Sequence, residues 1–331
     1  MRDASIIRPM PVAAASHRIA AQSLENLAVP CVTRTDGPTR PEPAVADLEA
    51  DLPWLRCLLD RHGALLLRGL GLDHADAFRA AACLFCGAGL GDYVGGTSPR
   101  TAIGEGVYTS TEYPASREIA LHNEMSYHHR WPHLIAFFCA RPPATGGETP
   151  IADSRRVLAQ LPADLVDRFE RKAICYRRTL PSAPGFAGSW ERTFGTVDRD
   201  EVEQLLTANA VEFHWDDGNA LHTRQIRAAV QRHWRTSERV WFNQAHMWHR
   251  SSLDGMDNDA DDDDLPMNAT FGDGSPISTS DLALVREAYR HCEHRFPWQQ
   301  GDVLLLDNML FAHGRRPFTG NRLVLVAMSP E

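Results

Sequence analysis

Apolar residues recur at helical spacing from Asp47 to His62 (Leu48, Leu52, Leu55, Leu58, Leu59), which predicts an amphipathic helix there. The run Ala64–Leu67 that follows is wholly apolar and lies between Gly63 and Gly69, so it reads as a buried strand. Asp73–Gly87 reads as a second helix. Residues 1–45 are rich in Ala, Pro, Arg and Thr and show no strong period, which predicts an irregular N-terminal arm with room for one early strand. From Ile119 onward, strands alternate with turns. Strands are predicted at His133–Ala140, Thr149–Ala152, Val211–Trp215, Val240–Gln244, Asp302–Asp307 and Arg322–Met328. Helices are predicted at Arg155–Leu161, Ala163–Lys172 and Leu282–Cys292. Many short strands with a few helices predict a mainly β fold with helical decoration, a sandwich or jelly roll. Residues 46–331 read as its single domain.

Composition narrows the partners. The net charge of -9 argues against a non-specific binder of nucleic acid or of an anionic membrane. No apolar run approaches the roughly 18 residues of a membrane span. The N-terminus carries no apolar segment of the secretory kind, so a cytoplasmic protein is expected. Lys172 is the sole lysine, so the abundant arginine reads as codon bias without collective meaning. The seven cysteines are odd in number and scattered, unlike a disulfide framework. Cys83 and Cys86 form a C-x-x-C with no second pair to complete a zinc site, and they read as small core residues. Gly87, Gly89 and Gly91 mark a turn, not a dinucleotide loop. The acidic run Asp257–Asp264, in a stretch spanning 254–265, reads as a solvated loop that could cap a site. It lacks the glycine spacing of a calcium loop.

The chemistry gathers around Leu121-His122-Asn123-Glu124. On a strand, residues i and i+2 share a face. His122 and Glu124 can then present an imidazole and a carboxylate together, two-thirds of the 2-His-1-carboxylate triad that leaves positions open on Fe(II). A third ligand must come from a distant strand, and the chain has 15 histidines. His128, His129 and His133 lie close by, and His246 and His249 could share a helix face. His313 differs in its setting: an apolar strand leads into it, a Gly/Pro turn follows, and the next strand opens with Arg322. An arginine there can make a bidentate pair with a carboxylate, as a dicarboxylic co-substrate chelating a metal at its other end would require.

Together with this passage, the blocks Ser98-Pro-Arg100, Ser110-Thr-Glu-Tyr-Pro114, His122-Asn-Glu-Met-Ser-Tyr127, Gly146-Gly-Glu-Thr-Pro150, Phe242-Asn-Gln244 and Gly272-Asp-Gly274 resemble the TauD/TfdA family of Fe(II)/2-oxoglutarate dioxygenases. The likeness runs from Arg68 to Met328 and is greatest to its SyrP-like amino-acid hydroxylase branch. The resemblance implies a double-stranded β-helix, with His122, Glu124 and His313 as iron ligands. Arg322 would bind the distal carboxylate of 2-oxoglutarate, with Thr149 adding a hydroxyl and Arg315 a second cation. It also implies Fe(II), 2-oxoglutarate and O2 as cofactor and co-substrates. The substrate would be an amino acid or a derivative of one, free or tethered to a carrier protein, in a natural-product pathway. Glu124 stands where the wider family has Asp. Halogenases of this fold lack that carboxylate, so Glu124 favours hydroxylation. By position, Asn123, Ser126 and Tyr127, and further Arg100, Thr111 and Asn243, are candidate substrate contacts.

Three other readings compete. A desaturase or cyclase would use the same oxidant. A zinc hydrolase could use the same triad, but no H-E-x-x-H is present and Arg322 and Thr149 would have no role. A non-catalytic β-sandwich binding protein would leave the complete triad unexplained.

Overall fold

A computed structural model describes residues 18–24, 29–35, 44–87, 89–91, 100–111, 113–183, 186, 188–253 and 265–330. The acidic run Asp257–Asp264, Ser98-Pro99 and Glu112 lie outside these.

The large sheet has eight strands. Their spatial order is Ile19–Ser23, Pro30–Arg34, Ala64–Leu67, Val303–Asp307, Leu134–Arg141, Leu323–Met328, Val107–Thr109 and Ala102–Gly104. Its central strands read as continuous apolar runs because both faces are covered. Val303 and Leu305 pack with Ala136, Phe138, Leu55, Leu58 and Phe78 beneath the N-terminal helices. Leu304 and Leu306 pack with Ile135, Phe137, Val324 and Val326 on the opposite face. There they meet Ile151 and Phe311 of a smaller sheet ordered Glu293–His294, Ile151–Asp153, Phe311–Arg315 and Ile119–His122. The two facing sheets are the double-stranded β-helix. A further four-stranded sheet, Glu212–Trp215, Leu221–Arg227, Ile174–Leu180 and Met267–Phe271, packs with the helices Ala163–Lys172 and Thr279–Cys292 into a separate apolar cluster.

Two expectations change. The helix predicted over Asp47–His62 is two helices, Ala44–Ala50 and Leu52–His62, with Asp51 between them at φ -103° and ψ 10°. Pro53 lacks an amide N–H, and its ring would strike the carbonyl four residues back, so the helix restarts there. Residues 19–34, expected to be irregular with one strand, supply two. Ile19 pairs with Arg34 in an antiparallel hairpin, and Cys31 joins Leu66 in parallel. Burial of Ile19, Cys31 and Val32 holds this pair against the sheet. Arg34 and Arg18 bind Asp47 at 3.3 and 3.1 Å and tie it to the first helix.

Cys83 and Cys86 lie half-buried on the helix Ala75–Cys86 and are unbonded, as are the other five cysteines. No helix among the described residues is long and apolar enough to cross a membrane.

Candidate metal centre

The strand Phe311–Arg315 runs antiparallel to Ile119–His122, and the ladder sets His313 opposite His122. Their ring centroids lie 4.6 Å apart. Glu124 completes the group: one ligand atom each from His122, Glu124 and His313 lie within 4.8 Å of one another. Glu124 does not reach this position on a strand, as the i, i+2 argument supposed. The strand ends at His122, and Glu124 stands in the turn that follows, before Met125 at φ +54°.

That turn has no ladder of its own, so side chains replace it. The amide of Asn308 accepts from the Glu124 N–H at 2.8 Å and donates to the Glu124 and Pro132 carbonyls at 2.9 Å each. Gln244 donates to the Asn123 carbonyl at 2.8 Å, and a His246 ring nitrogen lies 3.0 Å from the Leu121 carbonyl. The sequence reading assigned none of these three a role at the site. The available signal was the polar pair Asp307-Asn308, breaking an apolar run between two buried strands.

The donor set fits a divalent metal. The Nδ1 of His122 lies 2.8 Å from the Ala120 carbonyl, which fixes the proton there and leaves Nε2 as a ligand atom. His313 is held well below its usual pKa, first by burial and then by the charges of His122 and Arg100, so it is the neutral imidazole a metal needs. Its Nε2 lies 3.7 Å from the Glu124 carboxylate, whose same oxygen accepts from Arg100 at 2.7 Å. The ring of Phe137 backs His313 at 4.9 Å.

A small cleft of about 30 Å³ opens onto the two histidines. Arg322, Thr149, Ser110, Thr111 and Arg100 line it beside the histidines. Arg322 stands just before the strand Leu323–Met328, which belongs to the large sheet while His313 lies in the smaller one, so the two meet across the facing sheets and not on adjacent strands as expected. Its Nε donates to the Gly147 carbonyl at 2.9 Å and its Nη1 reaches Ser110 at 3.4 Å. No carboxylate among the described residues lies within ion-pair distance of it. Burial, and then the charge of Arg315, lower its pKa to about 10. A half-buried cation with no carboxylate in ion-pair reach can receive an anion. Thr149 sits just before the strand it was assigned to, Ile151–Asp153. Its hydroxyl accepts from the Trp298 indole N–H at 3.2 Å, which leaves the hydroxyl proton for the cleft.

The remaining candidates divide. Arg315 is buried and also lines the cleft, while its guanidinium donates to the carbonyls of Tyr113, Pro114 and Arg117 at 2.8, 2.7 and 2.9 Å and so holds the 113–117 loop. Arg100 and Thr111 reach the cleft. Asn123 spends its amide on Ser154 and the Asn308 carbonyl, and Asn243 spends its own on Ala229 and Ala245. Tyr127 packs on Trp248 with centroids 4.8 Å apart, and Ser126 is buried. These last four do not line the cleft.

Comparison with known proteins places these features in context. Residues 33–328 match the family model described as "Taurine catabolism dioxygenase TauD, TfdA family". The dapdiamide synthesis protein DdaC of Enterobacter agglomerans is 37% identical over 276 residues, covering 82% of this chain and 83% of its own. A clavaminate synthase-like protein of Arabidopsis thaliana is 34% identical over 288 residues, covering 83% and 84%. Among solved structures, PvcB of Pseudomonas aeruginosa superposes with a TM-score of 0.54 at 16% identity, over 95% of this chain and 91% of that one, a likeness of fold.

Proposed function

Since this chain belongs to the TauD/TfdA family and is an Fe(II)- and 2-oxoglutarate-dependent dioxygenase, we propose that it hydroxylates an unactivated C–H bond of an amino acid or amino-acid derivative in natural-product biosynthesis. The substrate is free or tethered to a carrier protein. The observation that carries this reading is the 2-His-1-carboxylate group whose two histidines share a cleft with a half-buried, carboxylate-free arginine. The similarity to DdaC, a dapdiamide synthesis protein, supports the pathway assignment.

In this reading His122, Glu124 and His313 hold Fe(II), and Arg322 and Thr149 hold 2-oxoglutarate. Fe(II) and 2-oxoglutarate held there would supply O2 activation and C–H oxidation, with 2-oxoglutarate leaving as succinate and CO2. The chain's share is placement. His122 is locked in one tautomer by the Ala120 carbonyl. Arg322 supplies a forked donor for the distal carboxylate of the co-substrate, and burial strengthens that pair. Phe137 and the apolar sheet face behind it keep water from the histidines. Glu124 occupies the ligand position that a halide would need, which directs the outcome to oxygen transfer. Arg100 and Thr111, at the cleft, are the substrate contacts. Arg315 serves by holding the loop from Tyr113 to Arg117.

The test incubates anaerobically prepared protein with Fe(II), 2-oxoglutarate and O2, and measures succinate against a panel of amino acids, free and carrier-linked. Stoichiometric succinate and a product 16 mass units heavier are expected for one of them, about the mass of one oxygen atom. A product two hydrogens lighter would replace hydroxylation by desaturation. No stimulation by any member would overturn the substrate class.

A further inference from the structure

We propose that Asn308 is a positioning residue of the metal centre, which sets the place of the Glu124 carboxylate relative to His313. The inference rests on the metal-binding reading of the triad. Glu124 lies beyond the end of its strand, so no sheet ladder fixes its backbone. Asn308 does so instead, with all of its amide. Oδ1 takes the Glu124 N–H, and Nδ2 gives one proton to the Glu124 carbonyl and one to that of Pro132. The same residue's backbone carbonyl accepts from Asn123 at 2.6 Å, and its backbone N–H donates to His133 at 2.9 Å. Five hydrogen bonds thus join one fully buried residue to the 123–133 segment.

Asn308 stands in the turn between Val303–Asp307 and Phe311–Arg315, and the second of these strands carries His313. Asp307 rigidifies that turn by accepting from the N–H groups of Met309 and Leu310 at 3.0 and 3.2 Å. One turn therefore carries His313 on its outgoing strand and grips Glu124 through its side chain. The spacing of two ligands contributed 189 residues apart in the chain is set locally, by one amide. Metal donors must converge to within about half an ångström of their ideal places. Outer groups that orient ligands are typically worth about 10- to 100-fold in metal affinity.

The test compares Fe(II) dissociation constants, the visible charge-transfer band of the Fe(II)–2-oxoglutarate chelate, and the melting of metal-free protein. It uses wild type, Asn308→Ala, Asn308→Asp and a control, Asn268→Ala. Asn268 is also buried, and its amide oxygen accepts from Arg250 and Ala269, away from the triad. Asn308→Asp keeps the size and the acceptor for Glu124 but loses both donors. Both Asn308 variants are expected to bind Fe(II) about 10- to 100-fold more weakly and to shift the band. Asn268→Ala should lower the melting temperature comparably and leave both metal readouts unchanged. Folded Asn308 variants with the wild-type constant and band would overturn the proposal, as would failure of both to fold, which would make Asn308 a folding residue. A wild type without any Fe(II)-dependent band would instead overturn the metal-centre reading itself.

Discussion

Arg322 offers the sharpest quantitative test of the co-substrate site. Its pKa falls from 12.5 to about 10, chiefly through burial. At about 1.4 kcal/mol per unit, that shift corresponds to a cation destabilised on the order of 3 kcal/mol. A carboxylate entering the cleft relieves that cost and adds charge-assisted hydrogen bonds from the guanidinium. Truncating Arg322→Ala leaves the distal carboxylate of 2-oxoglutarate buried and unpaired, which typically costs about 3–5 kcal/mol. The dissociation constant should rise by about 150- to 5,000-fold. Arg322→Lys keeps the charge but not the planar fork, and should lose less, about 10- to 100-fold, if each missing charged hydrogen bond is worth about 1.5–3 kcal/mol. The assay is an anaerobic titration of the Fe(II) protein with 2-oxoglutarate, read from the chelate's visible band. A 2-oxo monocarboxylic acid serves as the internal control. Wild type should favour the dicarboxylate strongly, and Arg322→Ala should bind the two acids alike. A constant for 2-oxoglutarate within fivefold of wild type in Arg322→Ala would refute the assignment and leave Arg315 as the cleft cation at that end.

Removing a ligand should be more severe: His313→Ala and Glu124→Ala each leave two of three donors and should abolish the Fe(II)–2-oxoglutarate band, measured under anaerobic conditions. Arg315→Met should cost about 2–4 kcal/mol of stability, since it orphans carbonyls of the 113–117 loop, and should lower the melting temperature by several degrees while Fe(II) binding persists. Acid should weaken the fold through two histidines. Burial above all lowers His128 to about 4 and His246 to about 3, so the folded state keeps them neutral while the unfolded chain protonates near 6.5. Their contribution is complete above about pH 6.5 and declines as pH falls, by up to about 1.4 kcal/mol per unit for each. Urea midpoints should therefore drop steeply from pH 7 to 5, and a flat profile would contradict the burial of these rings.

The difference between what the chain spells out and what it conceals follows from where the information lies. Val303–Asp307 and Leu134–Arg141 were legible because strands covered on both faces leave unbroken apolar runs, and helices such as Ala163–Lys172 because one face repeats. The N-terminal pair was not, since Ile19–Ser23 and Pro30–Arg34 are short and gain their place through partners remote in sequence, Leu66, Leu67 and Asp47 among them. The same division runs through the site. His122 and His313 could be inferred from strand logic, and the ladder indeed sets them side by side. Glu124 does join the two histidines, but from a turn and not from the strand that the spacing argument supposed. A true i, i+2 strand pair would hold its carboxylate by sheet hydrogen bonds, and any residue could follow. A carboxylate in a turn after the strand needs an external clamp, and the clamp is an amide 184 residues away. Sequence spacing thus identifies which atoms could bind a metal. The rigidity that makes them bind one comes from residues such as Asn308, Gln244 and His246, whose side chains carry no chemistry of their own to the metal and so leave no trace in a search for ligands. Substitution at these three positions should accordingly weaken Fe(II) binding without changing which ligands it has.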